Sequence, residues 1–323
     1  MSANTNNDSF AESVASFSHK NVNGNPDADK RAMIPSLIIR SVIIAICIGL
    51  FGYAIFMIAS NAVETNAAND FYDSIRAESN SSVIKPSPSL LEPASHLTMK
   101  EMLNADGEAK NYVLGDDPVQ DPQRRSSIYR NFINKTSKYP DMYGWIYVNH
   151  TKIDYPIMKG SYTNYYMNHD INGNPSANGS ITADSSLSDI YSENINTVLY
   201  GHCMKNGMMF RTLKTFMESA NRNTLAKDMS IEVYTKEGLY IYKVLSGYRN
   251  DDNAYAETEF NSPEEYKAFL DLAVSRNELR VSSGYSSESA IVTLITCANV
   301  TSNEDERYVL HGILTTFIPA NQL

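Results

Sequence analysis

The sequence predicts a mainly β fold, a closed or nearly closed β-barrel with short helices, preceded by a helical N-terminal extension and one transmembrane helix. From Gly144 onward, short runs rich in β-branched and aromatic residues are separated by turn residues. Two helical patterns interrupt these runs. Residues 41–60, "SVIIAICIGLFGYAIFMIAS", are uncharged and mostly apolar, and this run is about as long as a bilayer-spanning helix needs to be.

Positive charge flanks only one side of the apolar run. Lys30, Arg31 and Arg40 precede it, whereas the residues after it are polar and acidic. The positive-inside rule therefore predicts a retained single-pass anchor with its N-terminus in the cytoplasm and all later residues outside. The alternative is a cleaved secretory signal, because Ser60 and Ala62 form a small-residue cleavage pattern.

Composition divides the rest of the N-terminal half. Asn, Ser, Asp and Ala dominate the start of the chain, which predicts disorder. Repeated Ser and Pro in "SNSSVIKPSPSLLEP" predict a stalk after the anchor. Helical patterns follow at about 97–104 and 123–138. The expected segments are a disordered cytoplasmic tail at 1–33, the anchor at 34–60, an extracellular stalk at 61–95, and the main domain with N-terminal helices at 96–323.

The barrel pattern occupies the second half of the chain. A capping box, Ser262 and Glu265, with Pro263 at the first helical position, predicts a helix over "SPEEYKAFLDLAV". "GMMFRTLKTFM" predicts another helix. The expected strands are "GWIYV", "KIDYPIM", "NYYMNHD", "GSITAD", "NTVLYGH", "SIEVYT", "GLYIYKVLSGY", "AIVTLITC" and "RYVLHGILTTF".

Charge and cysteine content exclude several classes of protein. The 323 residues carry a net charge of -10 without a long basic block, which excludes a typical nucleic-acid binder. The three cysteines, Cys47, Cys203 and Cys297, are too few and too scattered for a disulfide framework or a C-x-x-C metal site. A disulfide between Cys203 and Cys297 remains an alternative.

Three residues with complementary chemistry fall at predicted strand ends. Cys297 ends "AIVTLITC", and Arg307 opens the next strand ten positions later. If the intervening loop reverses the chain, neighbouring strands about 4.8 Å apart bring the thiol and the guanidinium together. His202 closes "NTVLYGH". A nucleophilic thiol needs a nearby base or a lowered pKa, and a guanidinium stabilises developing negative charge.

These motifs resemble the catalytic signature of the sortases, the cysteine transpeptidases of Gram-positive cell surfaces. The similarity rests on "TLITC", an Arg ten residues later, and a preceding "YGH". Class B is indicated by "GWIYVNHTKIDYPIMKG", "YYMNHDINGNPSANGSI", "NTVLYGHCMKNGMMFRTLKTF" and a helix before the cysteine strand. The resemblance covers about residues 140–317.

The resemblance implies a role for each matched residue. Cys297 would be the nucleophile, His202 the general acid and base, and Arg307 the group that stabilises the oxyanion and holds the peptide. Residues Tyr200, Ile295 and Thr296 would bind substrate. The implied reaction cleaves a C-terminal sorting signal after Thr and transfers the acyl group to an amine of cell-wall precursor or of a pilin. The resemblance implies no metal and no organic cofactor.

Two positions depart from the family pattern, and several simpler interpretations exist. Cys203 stands where class B members usually have Asn, and Ile295 stands where many have Ser.

His202 and Cys203 as zinc ligands are an alternative, although adjacent residues rarely face one metal. The alternative candidates for the base are His150, His169 and His311, and Arg307 has Glu304 and Glu306 as alternative ion-pair partners. The rival functions are a hydrolytic cysteine protease and a catalytically silent, membrane-anchored peptide-binding protein.

Overall fold

The computed structural model describes residues 26–77, 92–93, 112–113, 121–252, 254–298 and 306–323. Two compact units divide the chain, Met1–Val63 and Glu64–Leu323. The helices are α1 (Pro26–Ala77), α2 (Pro122–Thr136), α3 (Arg211–Glu218), α4 (Arg222–Asp228) and α5 (Pro263–Ser275), with short 3-10 helices at Tyr191–Glu193 and Ala320–Gln322.

Eight of the strands close into a barrel. The strands are β1 (Glu92–Pro93), β2 (Tyr112–Val113), β3 (Met142–Val148), β4 (Asp154–Met158), β5 (Ile181–Ala183), β6 (Asn196–Tyr200), β7 (Ser230–Tyr234), β8 (Gly238–Asn250), β9 (Ile291–Cys297) and β10 (Arg307–Pro319). The hydrogen-bonded order is β10-β8-β7-β3-β4-β5-β6-β9, and β9 pairs back onto β10. The two-residue strands β2 and β1 extend the sheet beyond β10. The predicted closed barrel is therefore confirmed.

Strand β9 is buried on both faces. Val292 and Leu294 belong to the main core, whereas Ile291 and Ile295, which point the opposite way, pack against α5 and the segment before it. The helix α5 begins as predicted, because the Ser262 hydroxyl accepts a hydrogen bond of 3.1 Å from the Glu265 amide. Burial of both faces explains why this strand is a continuous apolar run.

A buried carboxylate joins α2 to the barrel. Glu232 on β7 is fully buried and accepts hydrogen bonds from Arg124 at 2.8 and 2.9 Å and from Arg125 at 3.0 Å. The Tyr234 hydroxyl donates to the same carboxylate at 2.5 Å. Two guanidinium groups and a phenol thus compensate the desolvation of one buried charge, which fixes α2 on the barrel wall.

The N-terminal unit holds the membrane-spanning candidate. Within α1, residues Ile38–Ser60 form a 23-residue stretch with a mean hydropathy of 2.7, long and apolar enough to cross a membrane. The large apolar side chains of this stretch are exposed.

Helix α1 extends beyond both ends of the predicted anchor segment, 34–60. Helix α1 begins at Pro26 and not at 34, and it continues to Ala77, so the first part of the predicted stalk is helical. Residues 61–77 contain no Gly or Pro to stop the helix. Tyr72 and Ile75, three positions apart, are buried in the main core, so residues 64–77 belong to the second unit. The Ser- and Pro-rich residues 78–91 lie outside the described part.

Of three further predictions, one was wrong, one stayed untested and one was confirmed. The stretch "NYYMNHD" forms turns and not a strand, because the amides of Tyr165 and Asn168 bond to carbonyls three residues earlier. The short helix α4 was not predicted. The predicted helix at 97–104 lies outside the described residues. The predicted helix at 123–138 is α2.

Candidate active site

Cys297 and Arg307 face each other across one rung of the β9–β10 ladder. Cys297 is the last residue of β9, Arg307 is the first of β10, and the two are direct antiparallel partners. Directly opposed residues point to the same face, with Cα atoms about 4.5–5.5 Å apart. Beyond this rung, the Ala298 amide donates to the Glu306 carbonyl at 2.9 Å, which holds the strand ends together.

The parallel neighbour β6 brings His202 to the same level. The register runs from Asn196 opposite Ile291 to Tyr200 opposite Ile295. The Gly201 amide still donates to the Ile295 carbonyl at 3.1 Å. Two further steps from Tyr200 and Ile295 lead to His202 and Cys297. Cys297, His202 and Arg307 therefore lie at the same end of the neighbouring strands, and all three residues are half-buried.

Gly201 makes room for this arrangement. A Cβ atom at this position would lie 2.6 Å from Cδ1 of Ile181 and 2.8 Å from the ring of Phe210. Even an alanine would push the Phe210 ring away from the strand. The close packing explains why glycine separates Tyr200 from His202 in "YGH".

A backbone carbonyl orients the imidazole. Nε2 of His202 lies 2.7 Å from the carbonyl oxygen of Met167. A carbonyl only accepts, so Nε2 carries a proton in this contact and Nδ1 is the nitrogen left to exchange a proton.

Sequence reasoning missed Met167 because it acts through its main chain. The available signal was Gly179, with φ of +57°, where a Cβ would lie 2.3 Å from the Met167 carbonyl oxygen.

Several cationic groups surround the end of β9. The Arg307 guanidinium donates to the Glu306 carbonyl at 3.0 Å, while the Glu306 carboxylate pairs with Arg249. Nζ of Lys214 on α3 donates to the carbonyl of Ala298, next to Cys297, at 2.5 Å. These groups place positive charge at the end of β9, where it can stabilise a developing oxyanion.

The three predicted substrate-binding residues lie in different environments. Tyr200 is half-buried, and its hydroxyl donates to Asp184 at 2.9 Å. Burial and the Asp184 carboxylate both raise the pKa of Tyr200 above its ordinary value. Ile295 is 3% exposed and packs beside Tyr248, Tyr255 and Val309, whereas Thr296 is 2% exposed and points to the opposite face. The side chains of Ile295 and Thr296 therefore contact the protein interior.

The side chains of the three alternative histidines contact other groups or solvent. His311 is fully buried between the Tyr248 hydroxyl and the Thr293 hydroxyl, each 2.9 Å away, and its burial lowers its pKa to about 3. The ring of His169 stacks on Tyr165 at 4.2 Å. His150 is exposed on the surface. These three side chains have structural or solvent contacts, so His202 remains as the candidate base among the histidines that the structure describes.

Cys203 directly follows His202 and lies behind the end of strand β6. It is 7% exposed, pairs in an isolated bridge with Met209, and its Sγ lies 3.6 Å from a guanidinium nitrogen of Arg211. Cys203 and Cys297 are both free thiols. Across the described residues, no group of three or more His, Cys, Asp and Glu side chains is arranged to hold a metal ion.

Comparison with known proteins identifies the relatives of this fold and site. The family model "Sortase domain" matches residues 146–315. Sortase B of Listeria monocytogenes is 28% identical over 179 residues, which cover 54% of this chain and 70% of the relative. Sortase B of Staphylococcus aureus is 30% identical over 172 residues, which cover 53% of this chain and 68% of the relative.

Solved structures agree with the sequence relatives. A Staphylococcus aureus sortase B–substrate complex superposes with a TM-score of 0.52 at 27% identity, covering 59% of this chain and 86% of that one. Residues 146–315, which the family model matches, contain His202, Cys297 and Arg307. The resemblance to class B sortases is therefore confirmed.

Proposed function

Because the chain belongs to the sortase family and is a cysteine transpeptidase of the class B type, we propose that Cys297 is its nucleophile, His202 its general acid and base, and Arg307 its oxyanion-stabilising group. The observation that carries this assignment is the strand register. Strand β9 pairs with β6 on one side and β10 on the other, so three different functional groups lie at the same end of these strands. Each group supplies a different part of an acyl transfer.

In the first half-reaction the Cys297 thiolate attacks the carbonyl carbon that follows Thr in a sorting signal. The Arg307 guanidinium stays charged throughout and stabilises the oxygen that becomes negative. His202 donates a proton to the leaving amine as the C–N bond breaks. The products are a thioester on Cys297 and a free C-terminal fragment.

In the second half-reaction an amine attacks the thioester. His202, now without the donated proton, takes a proton from the attacking nitrogen, and the C–S bond breaks. The products are a new amide and the regenerated thiolate. The proposed acceptor is an amine of a cell-wall precursor or of a pilin, and the proposed donor is a surface protein with a C-terminal sorting signal.

The proposed substrate path runs along the face shared by Tyr200 and Cys297. Tyr200 is the groove-lining side chain among the three candidates, because it is half-buried and retains a protonated hydroxyl. Ile295 and Thr296 support the strand from the core and shape the groove indirectly.

The proposed location is a bacterial cell membrane, with one spanning helix and the barrel on the outer side. The apolar stretch Ile38–Ser60 supports anchoring, and Lys30 and Arg31 before it, together with Arg40 at its N-terminal end, support a cytoplasmic N-terminus.

Product analysis tests the function. The full-length chain in detergent is mixed with a library of Thr-containing peptide amides, with and without triglycine, and the products are identified by mass spectrometry. We expect cleavage after Thr, and a triglycine adduct when the amine is present. Cleavage to the free acid alone, unaffected by triglycine, would instead identify a hydrolytic protease.

Matched variants test the roles of the two thiols separately. Cys297→Ala should form neither product, whereas Cys203→Ala, which removes a thiol behind the strand, should form both. No turnover of any peptide by the unmodified chain, together with no selective alkylation of Cys297, would favour the silent peptide-binding protein.

A further inference from the structure

The C-terminal end of helix α1 touches the loop that holds the active-site histidine. The hydroxyl of Tyr72, a residue 3% exposed, lies 3.2 Å from the Gly179 carbonyl, to which it donates, and 3.2 Å from the Ser180 hydroxyl. The Ser180 amide donates to the Tyr166 carbonyl at 2.8 Å, directly before Met167. The Met167 carbonyl is the acceptor for Nε2 of His202. Tyr72 is thus connected to the imidazole through a short series of main-chain contacts.

The backbone of Gly179 packs tightly against the backbone of Met167. Its left-handed backbone brings it so close to Met167 that a Cβ would lie 2.3 Å from the carbonyl oxygen. Any shift of residues 179–180 therefore moves the carbonyl that orients the His202 ring.

A second path reaches the backbone of the histidine from the same helix. The ring of Tyr72 packs edge-on against Tyr155 at 5.5 Å, and the Arg76 guanidinium lies 4.7 Å from the centre of the Tyr155 ring. The Tyr155 hydroxyl accepts the Met209 amide at 3.2 Å. Met209 pairs with Cys203, the residue after the histidine. The Arg76 side chain also donates to the Asp154 carbonyl at 3.0 Å.

We propose that the helical segment 64–77, through Tyr72, positions the imidazole of His202 for proton transfer. The inference rests on the proposed role of His202 as general acid. Tyr72 is a positioning residue, since it touches the loop behind the histidine and not the reacting atoms. The segment that follows the membrane-spanning run is thereby part of the apparatus that aligns the catalytic site.

The positioning role predicts a loss that depends on the leaving group. Cleavage of an amide needs a proton on the departing nitrogen, whereas a thioester releases a thiolate that leaves without protonation. A misplaced imidazole should therefore slow amide cleavage and spare thioester cleavage. Burial raises the pKa of Tyr72 above its ordinary value, so its hydroxyl remains a donor across the assay range.

The test uses the full-length chain in detergent with Tyr72→Phe, which keeps the ring and removes the hydroxyl. The probes are the peptide amide that the unmodified chain cleaves fastest and the same peptide with a thioester at the scissile bond. We expect kcat on the amide to fall roughly ten-fold, with KM and thioester turnover within about two-fold of the unmodified chain. Ser180→Ala should change the same ratio in the same direction.

The matched control is Tyr266→Phe. Tyr266 is equally buried, and its hydroxyl also donates to a main-chain carbonyl, that of Ser289 at 2.5 Å, but at the other end of β9. This control should leave the amide-to-thioester ratio unchanged. Equal slowing of both substrates by Tyr72→Phe, or no slowing, would overturn the positioning role and leave the proposed function intact. Failure of the unmodified chain to turn over either substrate would remove the proposed function and this inference with it.

Discussion

At the scale of single residues, the guanidinium opposite Cys297 offers a geometric test. Arg307 faces Cys297 across one rung of the ladder and keeps its charge throughout the reaction. Lysine would keep the charge but would lose the planar fork that places two donors. We expect Arg307→Lys to lower kcat/KM by about 10²-fold, the typical loss for one oxyanion donor.

The control for Arg307→Lys is Arg249→Lys, which alters the neighbouring arginine that pairs with Glu306. We expect it to retain most of the activity because its pair lies at the surface. Activity of Arg307→Lys equal to that of the unmodified chain would show that the planar guanidinium of Arg307 has no role beyond its charge.

Cys203 provides a second residue-scale prediction. It is buried behind the histidine and bridges to Met209, so its side chain does not share the face of Cys297. We expect Cys203→Asn to keep most of the activity, and we expect mild oxidation to form no Cys203–Cys297 disulfide, which needs Cβ atoms within about 4.5 Å. Peptide mapping under non-reducing conditions measures this. A linked pair that forms readily and stops turnover would identify a redox-regulated enzyme instead.

At the scale of elements, a buried histidine ties β10 to β8 and β9. His311 bonds to Tyr248 on β8 and Thr293 on β9, and its burial lowers its pKa from 6.5 to about 3. In the unfolded chain this histidine takes up a proton as the pH falls below about 6.5, and in the folded chain it does not until about pH 3. The unfolded state therefore binds more protons in this window, and stability falls as the pH falls.

The expected size of this effect is measurable. Between pH 6.5 and pH 5, His311 should account for a loss of about 2 kcal/mol in the free energy of unfolding, and His311→Gln should lack that part of the pH dependence. Urea unfolding, followed by the fluorescence of the single tryptophan, Trp145, reports it. The exposed His150→Asn variant should keep the full dependence. An unchanged pH dependence in His311→Gln would show that His311 is not the titrating group.

The element scale also shows which features a single sequence reveals. The strands that carry Cys297 and Arg307, and the strand that ends just before His202, were predicted because β-branched and aromatic residues mark strands that pack on both faces. The Met167 contact was not predictable, since a carbonyl is present at every position and only the fold selects one. The helical end of α1 was missed for a related reason. The predicted stalk was drawn from the Ser- and Pro-rich residues farther along the chain, and the burial of Tyr72 and Ile75 depends on a barrel that is distant in sequence.

At the scale of the whole molecule, the charge asymmetry around the apolar helix predicts the topology. Lys30 and Arg31 precede the span Ile38–Ser60 and Arg40 lies at its N-terminal end, so the barrel should be digested by protease added to cells stripped of their wall, while a tag at the N-terminus stays protected. The chain should sediment with membranes. Recovery of a shortened, freely secreted form that begins near Asn61 or Val63 would instead support a cleaved signal.

The most direct test of the account is the site of the covalent intermediate. The full-length chain is mixed with its best peptide amide in the absence of an amine acceptor, quenched in acid, and mapped by mass spectrometry. The account predicts an acyl adduct on Cys297 that ends at Thr, disappears when triglycine is added before the quench, persists in Cys203→Asn and is absent from Cys297→Ala. An adduct on another residue, or peptide turnover by Cys297→Ala, would contradict it.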